Sequence, residues 1–151
     1  MQKFLLLLTA LLLFSCSTKS KIVAVKHSRL PKESGSYSHS TSYDNLIFVS
    51  GQIGLDQKTN TLKRSVEEQT VQIMENLKIL LEDNQSDFGH ITKTTIYLTD
   101  MKQFETVNKI YGSYFKNSLP ARSTVEVSSL ARGAGIEIEC IGVKRIRKLI
   151  N

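Results

Sequence analysis

Two hydrophobic periods divide the chain. Val66, Thr70, Ile73, Met74, Leu77, Leu80 and Leu81 recur at spacings of three and four, the face of one α-helix. Ser65 and Glu68 form a capping-box pair at its start, and Asp83-Asn84-Gln85-Ser86 ends it. Met74 within this stripe is core filler. A second helical face runs through Phe104, Val107, Ile110, Tyr111 and Tyr114, with Asp100 and Gln103 as a cap before it. Short β-branched or alternating runs read as strands: Ile22 to Val25, Asn45 to Ser50 closed by Gly51, residues 91–98, about Arg122 to Val127, and about Ile136 to Ile146. Residues 30–36, with Pro31 and Gly35, read as a loop, and Asp56 to Asn60 as a polar turn. Strands and helices in this order predict an α+β domain built on one sheet.

The first residues follow a different pattern. Lys3 precedes an uninterrupted, mostly leucine run from Phe4 to Phe14, too short for a bilayer core, which needs about 20 apolar residues. It closes on Leu13-Phe14-Ser15-Cys16 and turns polar at once with Ser17-Thr18-Lys19-Ser20-Lys21. This resembles a lipobox, despite the bulk of Phe14. The resemblance implies a cleaved signal over 1–15, lipid on Cys16, a tether over 16–21 and a folded domain over 22–151. The chain is then exported and lipid-anchored to a bacterial membrane in the cell envelope. An uncleaved N-terminal anchor with an incidental Cys is the alternative.

The composition is that of a globular protein, with 40% hydrophobic and 23% charged residues. The net charge of +6 is concentrated near the ends, at Lys19, Lys21 and Lys26 and at Lys144, Arg145, Arg147 and Lys148. Solvated tails come first as a reading, attraction to a membrane surface second, and nucleic acid is not an expected partner. Cys140 sits in an apolar strand and reads as a small core hydrophobe.

Several chemistries lack their motifs. There is no GxxxxGK[ST] phosphate loop and no G-x-S-x-G elbow. His27, His39 and His90 stand apart and read as loop or surface residues, so no metal site is expected. Two stretches carry possible chemistry. In Leu119 to Val127, strand alternation groups Arg122, Thr124 and Glu126 on one face. An Arg in a strand that looks buried needs a partner, either a salt bridge, with Glu126 for example, or a substrate carboxylate held by its fork. In Gly135 to Cys140, Glu137 and Glu139 share a face with Ile141 and Val143. A buried ion pair, a surface charge and a general base all fit that face.

Taken with Gly35-Ser36-Tyr37-Ser38, Leu46 to Ile53, Lys93 to Leu98, Phe104 to Asn108 and Pro120-Ala121-Arg122-Ser123, these stretches resemble the RidA (YjgF/L-PSP) family from about Lys21 to Arg145. The resemblance implies a chorismate-mutase-like α+β fold: a mixed β-sheet with two α-helices packed on one face. It implies a homotrimer with ligand sites between subunits, and hydrolysis of 2-enamine and 2-imine acids, such as 2-iminopropanoate and 2-iminobutanoate, to 2-oxo acids and ammonia. No cofactor or metal is implied. Arg122 matches the carboxylate-binding Arg, and Glu137 the acid that holds the attacking water. Tyr37 matches a cleft residue that orients the imine, Asn108 another cleft residue, and Ser50 and Gly51 positions lining it. Thr124 stands where many members carry Cys, and Ser36 where a Pro is frequent. The segment between Phe115 and Pro120 is short, and Ala131 to Gly135 replaces a stretch that usually holds Pro and Lys.

A non-catalytic module that binds 2-oxo acids and, more remotely, an RNA-directed protein are the competing functions. The anchor has a direct test. Wild-type protein is expected to fractionate with membranes and incorporate labelled fatty acid, and Cys16→Ser to lose the label. An unlabelled, soluble wild type would refute lipidation.

Overall fold

The structure is a computed structural model that describes residues 21–30 and 35–145. The expected signal segment and Cys16, residues 31–34, and the tail 146–151 with Arg147 and Lys148 lie outside the described residues.

Six strands and two helices are present: β1 (Ile22–Ala24), β2 (Ser40–Tyr43), β3 (Leu46–Ile53), α1 (Val66–Asp83), β4 (Ile91–Leu98), α2 (Phe104–Ser113), β5 (Ala121–Glu126) and β6 (Ile136–Val143). They form one mixed sheet of order β1-β2-β3-β6-β4-β5. All neighbours are antiparallel except β4 and β5, which run parallel and are joined through α2. The last strand is thus inserted at the centre, between β3 and β4. Among the described residues no helix is long and apolar enough to cross a membrane.

Side-chain alternation on β6 sets the two faces. Ile136, Ile138 and Cys140 point to the helices and are buried with Ile47, Val49, Ile96 and Leu98 from neighbouring strands. Ile73, Met74, Leu77, Leu80 and Leu81 of α1 and Val107 and Tyr111 of α2 close this core. The capping box forms: the Glu68 amide donates to Ser65 Oγ at 3.1 Å, and the Ser65 amide donates to the Glu68 carboxylate at 3.2 Å. Such a cap is worth about 1 kcal/mol. Cys140 is buried as the sequence indicated, and burial pushes its thiol up to about 12.

The opposite face carries no helix. Glu137, Glu139, Ile141 and Val143 of β6 point there. Pairing aligns Phe48 with Ile141, Leu46 with Val143 and Tyr43 with Leu46. Tyr43, Leu46, Phe48, Ile22 and Val125 remain exposed in the single chain, so this face holds an uncovered apolar band.

The structure corrects several sequence expectations. β2 was read as part of no strand. Its inward residues are Ser40 and Ser42, so the apolar alternation that marks a half-buried strand is missing. The burial is instead satisfied by hydrogen bonds, and these account for a second correction. His27 and His39 lie in loops as expected, but both are buried, not on the surface. His27 Nε2 lies 2.8 Å from Ser40 Oγ and its Nδ1 lies 3.0 Å from Asp83 Oδ2; Asn84 Nδ2 also donates to Ser40 Oγ at 2.8 Å. The Ser-His-Asp order is that of a catalytic triad, but Ser40 is fully buried and lines no cleft. The network clasps the N-terminal segment to the end of α1. Partial burial works against the Asp83 charge, yet the hydrogen bonds with His27 and from Arg29 hold its carboxyl below the usual range.

Strand ends also shift. β3 continues through Gly51 to Ile53, β5 starts at Ala121 and ends at Glu126, and β6 ends at Val143. Asp100 does cap the turn before α2, accepting from the Lys102 amide at 3.0 Å.

Ile138, fully buried at the centre of β6, is the natural probe of this core. Ile138→Ala is expected to cost about 2–5 kcal/mol in urea unfolding, from lost burial plus the cavity left behind. A loss below 1 kcal/mol would contradict the packing described.

Candidate functional site

A bulge builds the first half of the site. Pairing of β3 with β6 slips between Val49 and Gln52, so Ser50 and Gly51 are displaced from the regular ladder. Ser50 is pinned from both sides: its amide donates to the His39 carbonyl at 3.0 Å, and its hydroxyl to the Ser38 carbonyl at 2.7 Å. The Glu137 carboxylate packs directly over Gly51. A Cβ at position 51 would collide with Glu137 Oε1, so the carboxylate holds its present position because residue 51 is a glycine.

Tyr37, Ser50, Gly51, Ile53, Leu55, Ala131, Arg132 and Glu137 line one cleft of about 370 Å³, within the range of small-molecule sites. Tyr37 is half exposed, its ring edge-on to His39 with centroids 6.0 Å apart. Glu137 is raised from its ordinary value, first by burial and then by the like charge of Glu139 two residues along the same face. Glu139 in turn accepts a hydrogen bond from Tyr97 Oη at 3.2 Å. A carboxyl that titrates higher folded than unfolded contributes stability only at low pH, lost as pH rises through its folded value. The charged form is therefore held against a folding cost, as a general base is.

The other candidate residues lie elsewhere. Thr94 of β4 stands opposite both Cys140 of β6 and Arg122 of β5, and directly paired residues share a face. Arg122 is therefore on the helix face, and Glu137 on the open face. Two strand spacings of about 4.8 Å and three residues of about 3.3 Å separate them, with the sheet between. Within one chain they cannot meet on one small substrate.

Arg122 has a distinct setting. β5 is an exposed edge, not the buried strand expected. Among the described residues Arg122 has no carboxylate partner; Glu126 instead accepts from the Met101 amide at 2.7 Å. The Arg122 guanidinium carbon lies 5.1 Å from the Tyr111 ring centroid and 5.6 Å from that of Phe104. Such contacts are worth about 0.5–2 kcal/mol and leave the hydrogen-bond donors at the rim. Asn108 is exposed on the same helix stripe as Phe104 and Tyr111, at spacings of four and three. Thr124 shares the Arg122 face, and its Oγ1 is buried without a hydrogen-bond partner. The candidate residues thus fall into two groups: Tyr37, Ser50, Gly51 and Glu137 at the cleft, and Arg122, Thr124 and Asn108 on the helix side of the far edge.

The sequence did not single out Arg132. Its backbone is left-handed, φ 59°, and so is that of Asn60, φ 55°. Arg132 Nη1 donates to Asn60 Oδ1 at 3.1 Å and Nη2 to the Asn60 carbonyl at 3.0 Å. For a non-glycine residue other than Asn or Asp this conformation costs roughly 1–2 kcal/mol. Only the Arg-Gly dipeptide at 132–133 hinted at it.

A mixed sheet with both helices on one face and a polar cleft at its bulge defines a chorismate-mutase-like α+β protein. The family model described as Endoribonuclease L-PSP matches residues 27–144. The chain belongs to this family, the RidA family. It is 40% identical over 121 residues to a 2-iminobutanoate/2-iminopropanoate deaminase of Mus musculus, covering 80% of this chain and 90% of that one. It is 41% identical over 126 residues to Reactive Intermediate Deaminase A, chloroplastic, of Arabidopsis thaliana, covering 83% of this chain and 66% of that protein. Among solved structures, RidA from a Psychrobacter species superposes with a TM-score of 0.78 at 29% identity, covering 80% of this chain and 98% of the other. The E. coli TdcF structure with bound serine does so with the same score and identity, covering 82% and 99%.

The Glu137 environment has a spectroscopic test. Glu139→Gln removes one of the two influences that raise Glu137. Its side-chain carboxyl titration, followed by carbon NMR, is expected to move to lower pH in the variant. No shift would show that burial alone sets it.

Proposed function

We propose that the protein hydrolyses 2-enamine and 2-imine acids, such as 2-iminopropanoate and 2-iminobutanoate, to 2-oxo acids and ammonia, at a site completed by a second copy of the chain. The observation that carries this reading is the division of the candidate residues: a raised carboxylate in a cleft on the open face, and an unpaired guanidinium at the far edge of the sheet. Either half lacks what the other holds. The uncovered apolar band around Phe48 and Leu46 supports assembly, and a closed ring of three chains would bring the edge of one against the cleft of the next. The deaminase names of relatives near 40% identity support the chemistry.

In this mechanism Arg122 of one chain clamps the substrate carboxylate, a charged contact worth roughly 1.5–3 kcal/mol. Asn108, exposed on the same helix stripe, offers a further hydrogen bond beside it. Glu137 of the neighbouring chain holds a water against the C=N carbon and takes its proton as the C–O bond forms. General-base assistance of this kind gives about 10²–10⁴ in rate. The imine nitrogen takes up a proton as its π pair is released to it. Glu137 then passes the proton it took from water to the carbinolamine nitrogen, and the C–N bond breaks with its electron pair leaving on ammonia. The hydroxyl gives up its proton to Glu137 as the C=O of the 2-oxo acid forms, after which Glu137 loses that proton to water. Tyr37 orients the imine side. Neither half of this chemistry involves a cofactor.

The reading includes export and lipidation at Cys16, supported by the sequence pattern of residues 1–21. The first described strand, β1, lies exposed at one edge of the sheet, a position compatible with a tether before it.

Mixing variants tests the composite site. Arg122→Lys keeps the charge but loses the fork, and Glu137→Gln keeps the shape but cannot take the proton. Each alone is expected to lose 10²-fold or more in turnover of fresh 2-iminopropanoate, on the scale of general-base catalysis. Co-refolded in equal amounts, they should regain activity, because sites pairing Glu137 of one variant with Arg122 of the other are intact. Random assembly leaves roughly a quarter of sites whole. No recovery in confirmed mixed oligomers would place the site within one chain. Full activity of both single variants would leave a binding module for 2-oxo acids.

A further inference from the structure

Arg132 is a cation at the cleft that the proposed reaction does not use. It lines the same cleft as Glu137 and Tyr37. Its guanidinium is held by two hydrogen bonds to Asn60, one to the side chain and one to the main chain, which use only part of its five donors. Among the described residues no carboxylate pairs with it. The acid of the adjoining turn, Asp56, is already engaged by Lys63 Nζ at 2.8 Å and by the amides of Lys58 and Thr59. Among the described residues Arg132 and Glu137 form no ion pair, although both line the cleft.

The backbone adds a reason to see placement here. Arg132 and Asn60 are both left-handed, and their hydrogen bonds tie the Arg132 loop, which lines the cleft, to the Asn60 turn. An arginine is an unfavourable choice for a left-handed position, which Gly or Asn fills without strain. A residue there purely to make the turn need not carry a charge. A preorganised, uncompensated guanidinium in a cleft suits a carboxylate.

We infer that Arg132 binds a second carboxylate, distal to the imine, so that the site prefers 2-imino acids with an acidic side chain, such as 2-iminosuccinate and 2-iminoglutarate. The inference rests on the deaminase reading. Arg122 of the neighbouring chain takes the carboxylate next to the imine, Glu137 serves the water, and Arg132 takes the far end. The reaction is unchanged: one water is consumed, the C=N bond becomes C=O, and ammonia is released.

The experiment compares kcat/KM for freshly generated 2-iminosuccinate and 2-iminoglutarate with that for 2-iminopropanoate, in the full mature protein and in two variants. Arg132→Asn removes the charge but tolerates the left-handed backbone; Arg132→Lys keeps the charge. Wild type is expected to favour at least one diacid by about ten- to a hundredfold, the equivalent of one ionic hydrogen-bonded contact. Arg132→Asn should bring the ratio close to one, and Arg132→Lys should retain part of the preference. A wild type that prefers the monoacid, or a ratio that Arg132→Asn leaves in place, overturns the inference. Calorimetry with the products, 2-oxoglutarate and oxaloacetate against pyruvate, gives the same ratio without turnover. Loss of turnover on every imine in wild type would therefore count against the deaminase reading, while the diacid preference in binding still decides the role of Arg132.

Discussion

The alternation of β6 is the constraint on which the rest of the molecule depends. This strand enters the sheet last, between β3 and β4, and its two faces have opposite duties. Ile136, Ile138 and Cys140 bury into the helices. Glu137 and Glu139 are thereby forced onto the face that no helix covers. A one-residue slip would drive both carboxylates into the core and expose the isoleucines, so register is fixed by burial. The same register puts Glu137 over Gly51, where a side chain would displace the carboxylate.

Placing both helices on one side leaves a chain with an unfinished surface. The open face carries apolar side chains at Tyr43, Leu46, Phe48 and Val125, and the far edge carries Arg122 on an exposed strand. Arg122 and Glu137 belong to opposite sides of the sheet, so one chain does not bring them together. The Arg122 guanidinium is seated on Tyr111 and Phe104, contacts that hold its position without consuming its donors.

Buried polar groups account for most of what the sequence concealed. β2 turns Ser40 and Ser42 inward, where a hydrophobic pattern would have marked a strand, and His27 and Asn84 satisfy Ser40. His27 and His39 look isolated in sequence, because the residues that bury them come from segments far along the chain. Arg122 looked like a member of a buried strand because β5 alternates as its neighbours do. Nothing local distinguishes an edge strand from a central one.

The sequence by itself determined the elements whose periodicity is self-contained: both helical stripes, the Ser65 cap, the strands at 91–98 and from Ile136, and hence an α+β sheet with two helices. Linked motifs at fixed spacing also marked Tyr37, Ser50, Gly51, Asn108, Arg122, Thr124 and Glu137 as residues of interest, since a motif needs no coordinates to be read. Only the tertiary structure decided which of these meet. Strand order and face depend on pairings between residues distant in sequence, such as Thr94 with both Cys140 and Arg122. Those pairings divided the candidates into two groups and brought Arg132 to the Glu137 cleft, because the free energy that selects them comes from burying one face of a complete sheet, which no single segment can express.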